Sequence, residues 1–444
     1  MAATYITKTN GGTGSETKGT FSAWIKILGL GDDNTIFHEY ESSGNYISIK
    51  LKSGAIQVYG QNNSSAFVNV KTTRVLKDIA SWYNIVVAFD STQSTASNRV
   101  KIYINGVQET TLSSTTYPGS SANCKINQNN EQQTIGGARN AEYFIGLMSH
   151  VHWVDGTAYS GSDFGSTDAT TGEWLINTSP TLTYGTNGFF ILKDGNTITD
   201  SSPNSNNFSL GGGTLTKTED CPSNVFATLN PLSPPASGLD IRNGNTHVFN
   251  DDESNVWQTV PATLAISPTA KIYWEIKCVG VWGSASCQMH GITDLDNTIQ
   301  ALTGQASDNA TSFAWRNDAS FRTNGSTISG TTWATSYTTN DFLMFALDNA
   351  NGALYAGKNG TWLNSGNPTS GASKTGALSV TAGLNYAPHS ELKYGSDKPA
   401  YNFGNGYYVT TAVSSAGTTA STPGIFEYDV PTGYQPLSTK GLNA

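Results

Sequence analysis

Short alternating segments between tight turns constrain the fold of this chain more than any other feature of its sequence. Asn-Gly pairs, which suit the positive φ angles of hairpin turns, begin at positions 10, 105, 187, 243, 324, 351, 359 and 405. Two of them, in segments 100–108 and 353–362, lie between clear strand patterns, whereas helical periodicity is almost absent. Many short strands without helical crossovers predict an all-β chain of antiparallel sandwiches.

Composition agrees with a folded all-β chain and excludes several classes of protein. Of 444 residues, 13% are charged and 11% are aromatic, which argues against disorder and against coiled coil. The formal net charge is −9 and no basic cluster is present, so we expect no nucleic-acid partner. No apolar run approaches the roughly 18 residues that span a bilayer, so we expect no membrane insertion. The first residues lack the pattern of a signal peptide, so export by that route is not expected.

Prolines indicate where the chain divides. Three of them fall within 231–235, and proline lacks the donor that a sheet ladder needs. We therefore predict a first sandwich over 1–230, a Pro-rich linker over 231–245, a second sandwich over 246–405 and a C-terminal extension over 406–444. The extension ends in an aromatic segment at 426–434, which we expect to pack back on the second sandwich.

The four cysteines are too few and too scattered for a disulfide framework. Cys278 and Cys287 flank an expected hairpin turn at 282–285. The alternation Ile272, Trp274, Ile276, Cys278 places Cys278 on an apolar face. Two buried thiols are the favoured interpretation and a cross-strand disulfide is the alternative.

Aromatic residues in expected loops are the main candidates for ligand binding, since Tyr and Trp stack on sugars and anchor protein interfaces. Trp282 and Tyr386 rank first because each stands beside small or turn-forming residues, and Tyr394 and Tyr40 follow. Tyr117 and Tyr337 belong to the same set. The alternative for each is a buried residue at the rim of a sandwich.

Metal sites have only weak candidates in this sequence. The segment 200–207 is rich in oxygen-bearing side chains, and Asp200 with Asn206 suggests a Ca²⁺ site. Turn formation by Asx side chains explains the same segment equally well. His150 and His152 lie two residues apart on one strand and share a face, an arrangement that can bind zinc. We expect instead that they lie on an outer, partly solvated face.

The first half resembles the concanavalin A-like lectin/glucanase superfamily in its laminin-G-like branch. Five segments carry the resemblance in order: TFSAWIK at 20–26, WYNIVVAFD at 82–90, VKIYINGV at 100–107, TIGG at 134–137 and FIGLMSHVHWVDG at 144–156. Residues 186–216 resemble the segment that usually opens such a domain. Because chain ends of a sandwich often lie close together, we expect 186–216 to be a permuted strand pair of the first sandwich.

The second half resembles SPRY domains, which are two-sheet sandwiches that typically bind partners through loops at one rim. KIYWEI at 271–276, HGI at 290–292, DFLMFALDNANGALYAGKNG at 341–360 and YNFGN at 401–405 carry this resemblance. The two halves together, with FEYDVPTGY at 426–434, resemble structural proteins of marine bacteriophages. The resemblance implies a virion protein, such as a tail fibre, that forms homo-oligomers and contacts other virion proteins.

We therefore expect a non-enzymatic phage surface protein that binds a host glycan or protein during adsorption. A trimer is expected if the protein is a fibre, and a virion location is expected after synthesis in the host cytoplasm. A capsid- or tail-decoration role without receptor binding is the main alternative. A glycan depolymerase ranks last, because the chain lacks the Glu-x-Asp-x-x-Glu pattern that supplies a carboxylate pair on one strand face.

Overall fold

The computed structural model describes residues 4–28, 32–78, 81–138, 141–193, 197–231, 239–250, 256–283, 286–298, 304–414 and 424–442. The chain divides into two compact units, Met1–Lys217 and Thr218–Ala444. This division lies before the expected boundary at residue 230, because residues 218–231 pack in the second unit, where Ala227 and Leu229 join the core. The prolines of the expected linker at 234 and 235 lie outside the described residues. Later in that segment, Leu239–Arg242 is already a strand, and residues 243–245 form a turn.

The first unit is built from short antiparallel strands. Their bounds are Tyr5–Thr9 (β1), Lys18–Ile27 (β2), Asp33–Ser42 (β3), Asn45–Lys52 (β4), Ala55–Asn62 (β5), Ser65–Val75 (β6), Trp82–Asp90 (β7), Val100–Ile104 (β8), Val107–Gln108 (β9), Leu112–Thr116 (β10), Gln132–Ile135 (β11), Gly146–Asp155 (β12), Gly165–Thr167 (β13), Trp174–Ile176 (β14), Phe189–Ile191 (β15) and Ser209–Gly212 (β16). Two 3₁₀ turns, Ala96–Asn98 and Gly161–Asp163, lie between them.

These strands form a two-sheet sandwich. Within the described residues, one sheet has eight strands in the order β10-β6-β5-β4-β3-β11-β1-β16, and the other has six in the order β15-β12-β2-β7-β8-β9. Apolar side chains from both sheets make one core, in which Phe37 stacks on Trp153 with ring centroids 4.8 Å apart. Two strands of the segment 186–216 belong to this sandwich, one in each sheet: β15 pairs with β12, and β16 pairs with β1.

The second unit also consists of short strands. Their bounds are Leu239–Arg242 (β17), His247–Asn250 (β18), Gln258–Pro261 (β19), Lys271–Gly280 (β20), Gln288–Asp294 (β21), Phe313–Arg316 (β22), Ser320–Thr323 (β23), Ser326–Thr327 (β24), Phe342–Asp348 (β25), Ala353–Lys358 (β26), Thr361–Trp362 (β27), Leu378–Ser379 (β28), Tyr386–Leu392 (β29), Lys398–Asn402 (β30), Tyr407–Tyr408 (β31), Thr411–Ala412 (β32) and Gln435–Pro436 (β33). The helical segments are Leu295–Thr298 (α1), Thr439–Leu442 (α2) and the 3₁₀ turns Ala306–Asp308, Leu363–Ser365 and Pro368–Ser373. None of the helices in the described ranges has the length and apolarity to cross a membrane.

A second sandwich results, so the chain is all-β as expected. In its described part, a large sheet runs β17-β18-β30-β20-β25-β26-β27, with β28 beside β26 and β33 beside β20. The facing sheet runs β19-β29-β21-β22-β23-β24. The predicted apolar face of β20 is confirmed, because Ile272, Trp274, Ile276 and Cys278 all lie in the core between the sheets.

The C-terminal extension packs on the outer face of the large sheet, as predicted. Phe426, Val430 and Tyr434 are buried against Tyr273 and Tyr355, whose side chains leave the sheet on the side opposite the main core. Strand β33 then adds to β20 in parallel. The extension therefore covers apolar surface that the two sheets alone would leave exposed to water.

Turn chemistry explains two of the hairpins. Asn105-Gly106 joins β8 to β9, and Asn359-Gly360 joins β26 to β27. All four residues have positive φ, as a type I′ turn requires.

The hairpin that we expected at 282–285 is wrong. Strand β20 lies in the large sheet and β21 in the facing sheet, so the chain crosses the sandwich between Cys278 and Cys287. Both thiols are buried and neither forms a disulfide, which confirms the favoured interpretation.

Candidate functional site

One end of the second sandwich gathers the loops that carry two of the predicted binding residues. Gly280 at the end of β20 pairs with Lys398 at the start of β30, and Leu392 at the end of β29 pairs with both Gln258 and Gln288. The segments that follow or precede these strand ends therefore meet at the same rim. They include residues 281–283, 256–257 and 393–397.

Trp282 and Tyr394 are brought together at this rim, although 112 positions separate them in the sequence. Their rings stack with centroids 5.2 Å apart and an interplanar angle of 27°. Trp282 is 45% exposed, and every other aromatic side chain in the described ranges is half-buried or buried. The pair therefore presents a flat indole face to solvent, supported from beneath by a second ring.

A buried carboxylate fixes the backbone under this stack. Asp397 accepts hydrogen bonds from the backbone N–H groups of Trp282 at 3.0 Å, Tyr394 at 3.1 Å and Lys393 at 3.3 Å. Burial raises the pKa of the Asp397 carboxyl above its usual value, while these amides and the Cys287 thiol act in the opposite direction. Burial likewise raises the pKa of Cys287 to about 12, with the Asp397 charge second. One side chain thus ties two loops into a rigid unit.

Lysines border the aromatic stack. The Lys393 Nζ lies 5.4 Å from the centroid of the Tyr394 ring and 5.8 Å from that of Trp257. Lys398 Nζ lies 5.1 Å from the ring of Phe249 on the neighbouring strand β18. Such distances are typical of cation–π contacts. Two lysine side chains therefore lie near the surface of this rim, in a chain whose formal net charge is −9. We call Trp257, Trp282, Lys393 and Tyr394 the rim cluster.

The prediction that placed Tyr386 in a binding loop is wrong. Tyr386 is the first residue of β29, is fully buried in the core, and donates its hydroxyl to the carbonyl of Thr381 at 3.0 Å. Tyr337 is also buried, and its hydroxyl donates to the carbonyls of Gln288 and Trp315. Tyr117 packs against the first core. For these three, the structure matches the alternative of a buried or half-buried residue.

Tyr40 lies on a strand rather than in the expected loop. It is half-buried on the outer face of the eight-stranded sheet, where it pairs with Tyr46 across β3 and β4. Tyr46 lies 6.2 Å from Tyr59 of β5 between ring centroids. This surface of neighbouring tyrosines is a second candidate for ligand contact.

Sequence reasoning missed Tyr46, Tyr59 and Trp257. The signal for Tyr46 was present, because Ile47, Ile49 and Leu51 alternate with the remaining residues of β4 and so assign Tyr46 to the outer face. Trp257 precedes a short strand, and its partner Lys393 comes from a segment more than 100 positions later in the sequence. No local pattern brings those residues together.

The proposed Ca²⁺ site is an Asx turn. Both carboxylate oxygens of Asp200 accept hydrogen bonds from protein donors: Phe190 N, Ser202 N, Ser202 Oγ and Asn206 N, at 2.7–2.8 Å. The Asn206 side chain donates its amide to the carbonyls of Thr186 and Gly188. In the described part of the chain, no group of three or more His, Cys, Asp or Glu side chains is placed to hold a metal ion.

The expected partly solvated face for His150 and His152 is wrong for His152. That ring is buried, stacks on Phe190 with centroids 3.9 Å apart, and shares a hydrogen bond with the Tyr184 hydroxyl at 2.9 Å. Burial places the pKa of His152 well below its ordinary value. Val151 and Trp153 lie in the core, so His152 is on the outer face as expected, but Phe164, Tyr184 and Phe190 cover its ring there.

Comparison with protein families gives one match. Residues 2–163 match the sequence model of the concanavalin A-like lectin/glucanases superfamily. The matched region covers most of the first unit and agrees with its two-sheet architecture. No curated protein matches the chain by sequence.

Parts of the chain are similar to solved structures at low sequence identity. The SPRY domain of human HERC1 is 15% identical, with a TM-score of 0.30 and coverage of 39% of this chain and 96% of that domain. Domain 4 of AbnA, a GH43 extracellular arabinanase from Geobacillus stearothermophilus in complex with arabinotriose, is 20% identical, with a TM-score of 0.27 and coverage of 33% and 64%. The native heptameric SAP-like pentraxin of Limulus polyphemus is 14% identical, with a TM-score of 0.29 and coverage of 43% and 89%. The chain is thus an all-β protein of two sandwiches whose first unit is similar to the concanavalin A-like lectins and glucanases.

Proposed function

We propose that this protein is a non-catalytic surface component of a phage particle and that its rim cluster binds a glycan on the host surface. The phage assignment rests on the resemblance of nearly the whole chain to virion proteins of marine bacteriophages. The binding assignment rests on lectin-like folds and on the rim of the second unit. A homo-oligomer, trimeric in a fibre, multiplies a weak single-site affinity through many copies on one particle.

The observation that carries the binding proposal is the exposed stack of Trp282 on Tyr394 over a buried carboxylate. Contact of the apolar indole surface with water is unfavourable, so a ligand that covers the ring gains free energy, and the flat face suits the C–H face of a sugar ring. Because Asp397 already orders both loops, little conformational entropy remains to be lost on binding. The geometry therefore favours binding rather than structural packing at Trp282.

Charge favours an acidic glycan over a neutral one at this rim. Lys393 Nζ lies 5.4 Å from the centroid of the Tyr394 ring, and Lys398 stands at the start of β30, opposite the end of β20 that leads to Trp282. Carboxylates or sulfates on a polysaccharide would be attracted to this rim, whereas the negative net charge of the chain repels them elsewhere. A protein receptor is the alternative partner, and the following test distinguishes it from a glycan.

The test is binding of the full chain to an immobilised panel of acidic and neutral bacterial surface polysaccharides. We expect Trp282→Ala to weaken binding to acidic glycans by about tenfold or more, the equivalent of about 1.4 kcal/mol. Leu210→Ala is the matched control, since it removes an exposed apolar side chain of similar exposure (48%) from the first unit. Binding that survives Trp282→Ala contradicts the proposed site. A protein receptor is favoured if the chain binds none of the glycans and if proteinase treatment of host cells abolishes its binding to them.

The location of this protein on a phage particle needs a separate measurement. Immunogold labelling of phage particles that carry this chain is expected to mark their surface. If the particle surface is labelled but Trp282→Ala does not change phage adsorption, a decoration or assembly role is favoured. Release of reducing sugar from a bound polysaccharide would contradict the non-catalytic assignment and support a depolymerase.

A further inference from the structure

The C-terminal extension forms one wall of an open groove on the outer face of the large sheet in the second unit. The groove has a volume of about 530 Å³, within the range of roughly 300–1,000 Å³ that is usual for small-ligand sites. Trp362, Asn367 and Pro368 line one side, and Asp429, Pro431 and Thr432 of the extension line the other. None of these residues belongs to the rim cluster.

Both walls are held in place by contacts below the groove. The Tyr434 hydroxyl donates to the carbonyl of Pro368 at 3.0 Å and so joins the extension to the facing loop. The Tyr355 hydroxyl and Ser370 Oγ share a hydrogen bond of 3.0 Å, which fixes the same loop to the sheet. Because the walls are ordered before any ligand arrives, binding has a small entropic cost.

The apolar part of the lining consists of flat rings. The half-buried Trp362 indole is supported by edge contacts with Tyr273 and Tyr355, at centroid distances of 6.3 and 6.4 Å. The pyrrolidine ring of Pro431 lies half-buried on the opposite side. Such surfaces pack against the C–H face of a pyranose ring.

The polar part of the lining supplies both acceptors and donors. Asp429 and Thr432 are exposed. The Asn367 Oδ1 atom accepts hydrogen bonds from the Thr369 backbone N–H at 3.1 Å and from its hydroxyl at 2.7 Å, which leaves the Asn367 NH₂ group as a donor. An amide donor and side-chain oxygens beside flat apolar surfaces suit the hydroxyls of a sugar.

We infer that this groove is a second carbohydrate site, which binds an uncharged hexopyranose unit. The charged residue in its lining is the Asp429 carboxylate, and no Lys, Arg or His lines it among the described residues. An anionic sugar would therefore be repelled here, in contrast to the rim with its two lysines. The inference stands on the groove alone and does not depend on the proposed function of the rim cluster.

The test is saturation-transfer NMR on the full chain with methyl glycosides of glucose, galactose and mannose, and with methyl glucuronide as the charged counterpart. We expect transfer to the ring protons of at least one neutral glycoside and about fivefold weaker binding of the glucuronide. Trp362→Ala is expected to reduce the neutral signal by about fivefold or more. Trp282→Ala is expected to leave it unchanged, because the rim cluster is a different site.

A second variant keeps the test decisive if Trp362→Ala disturbs the fold. Asp429→Asn preserves the shape of the side chain and removes its charge, so the glucuronide should then bind as well as the neutral glycoside. Glu173→Gln, an exposed position in the first unit, is the matched control for loss of one carboxylate and should leave the discrimination intact. The inference is overturned if none of the three neutral glycosides binds, if Asp429→Asn leaves the discrimination unchanged, or if a polyproline peptide binds the groove in their place.

Discussion

Trp282 owes its exposed position to a single buried residue. Asp397 is fully buried and accepts three backbone hydrogen bonds from the two loops that carry Trp282, Lys393 and Tyr394. A carboxylate can accept all three bonds at once because it has about four lone-pair sites on two oxygens. At this scale, the exposed Trp282–Tyr394 stack depends on a side chain that is itself buried.

Replacing Asp397 by Asn tests this dependence. The amide keeps one acceptor oxygen but turns its NH₂ group toward backbone donors, so at least one N–H loses its partner. We expect a loss of about 1–3 kcal/mol and faster hydrogen exchange in 281–283 and 393–397. Asp296→Asn, an exposed change at a helix start, is the control. Unchanged exchange in the two loops would show that Asp397 does not hold them.

Glu39 makes the stability of the first unit depend on pH. The carboxyl is buried, and burial raises its pKa from 4.5 to about 7, although Asn10, Gln128 and Gln133 donate hydrogen bonds to it. Between these values the folded state holds a proton that the unfolded state releases. The stabilising contribution is therefore present below about pH 4.5 and is lost as the pH rises through 7.

We expect the free energy of unfolding of the first unit to fall by about 2 kcal/mol between pH 5 and pH 7 through this group. Glu39→Gln should remove that part of the pH dependence. Urea titrations read by hydrogen exchange of peptides from β3 and β11 measure the first unit separately. An equal pH dependence in the variant and the natural protein would assign the effect to other groups.

At the scale of elements, strand β20 carries two different surfaces. Its inward residues, such as Trp274, fill the main core, whereas Tyr273 and Glu275 face the C-terminal extension. Glu275 accepts the backbone N–H groups of Glu427 and Tyr428, both at 2.9 Å. The extension is therefore attached to the sheet by a buried carboxylate as well as by apolar burial.

Glu275→Gln should loosen the extension without unfolding the sandwich. The new NH₂ group replaces an acceptor that faces hydrogen-bond donors, at a cost of about 1–3 kcal/mol. We expect faster hydrogen exchange over 425–436 and weaker glycoside binding in the groove, since the extension forms one of its walls. Native exchange in that segment would show that apolar burial alone holds the extension.

At the scale of the whole molecule, the chain has separate cores for its two units. One hydrophobic cluster is confined to the first unit, and two others lie in the second. Each unit also contains a buried cysteine that reports on its own unfolding, Cys124 in the first and Cys278 in the second. Burial raises the pKa of both thiols, which keeps them unreactive in the folded state.

Thiol labelling in rising urea should therefore give two midpoints. We expect Cys124 and Cys278 to become reactive at different urea concentrations, because each thiol is buried in a unit that has its own hydrophobic core. Cys221 is half-buried, so it should react already in the folded protein and serves as the labelling control. Coincident midpoints would show that the two units unfold as one.

The sequence by itself determined the fold class, the hairpins at Asn105-Gly106 and Asn359-Gly360, the apolar face of β20 and the return of the aromatic extension to the second sandwich. These are local properties: a period of two assigns a side chain to a face, and Asn-Gly pairs specify turns with positive φ.

Only the tertiary structure decided which aromatic residues reach solvent. Tyr386 and Trp282 looked equivalent in the sequence, yet one is fully buried and the other is 45% exposed. The crossing of the chain between β20 and β21, and the meeting of Trp282 with Tyr394, were equally invisible in the sequence. The physical reason is that exposure depends on what packs against a residue from distant parts of the chain, and no local periodicity records those contacts.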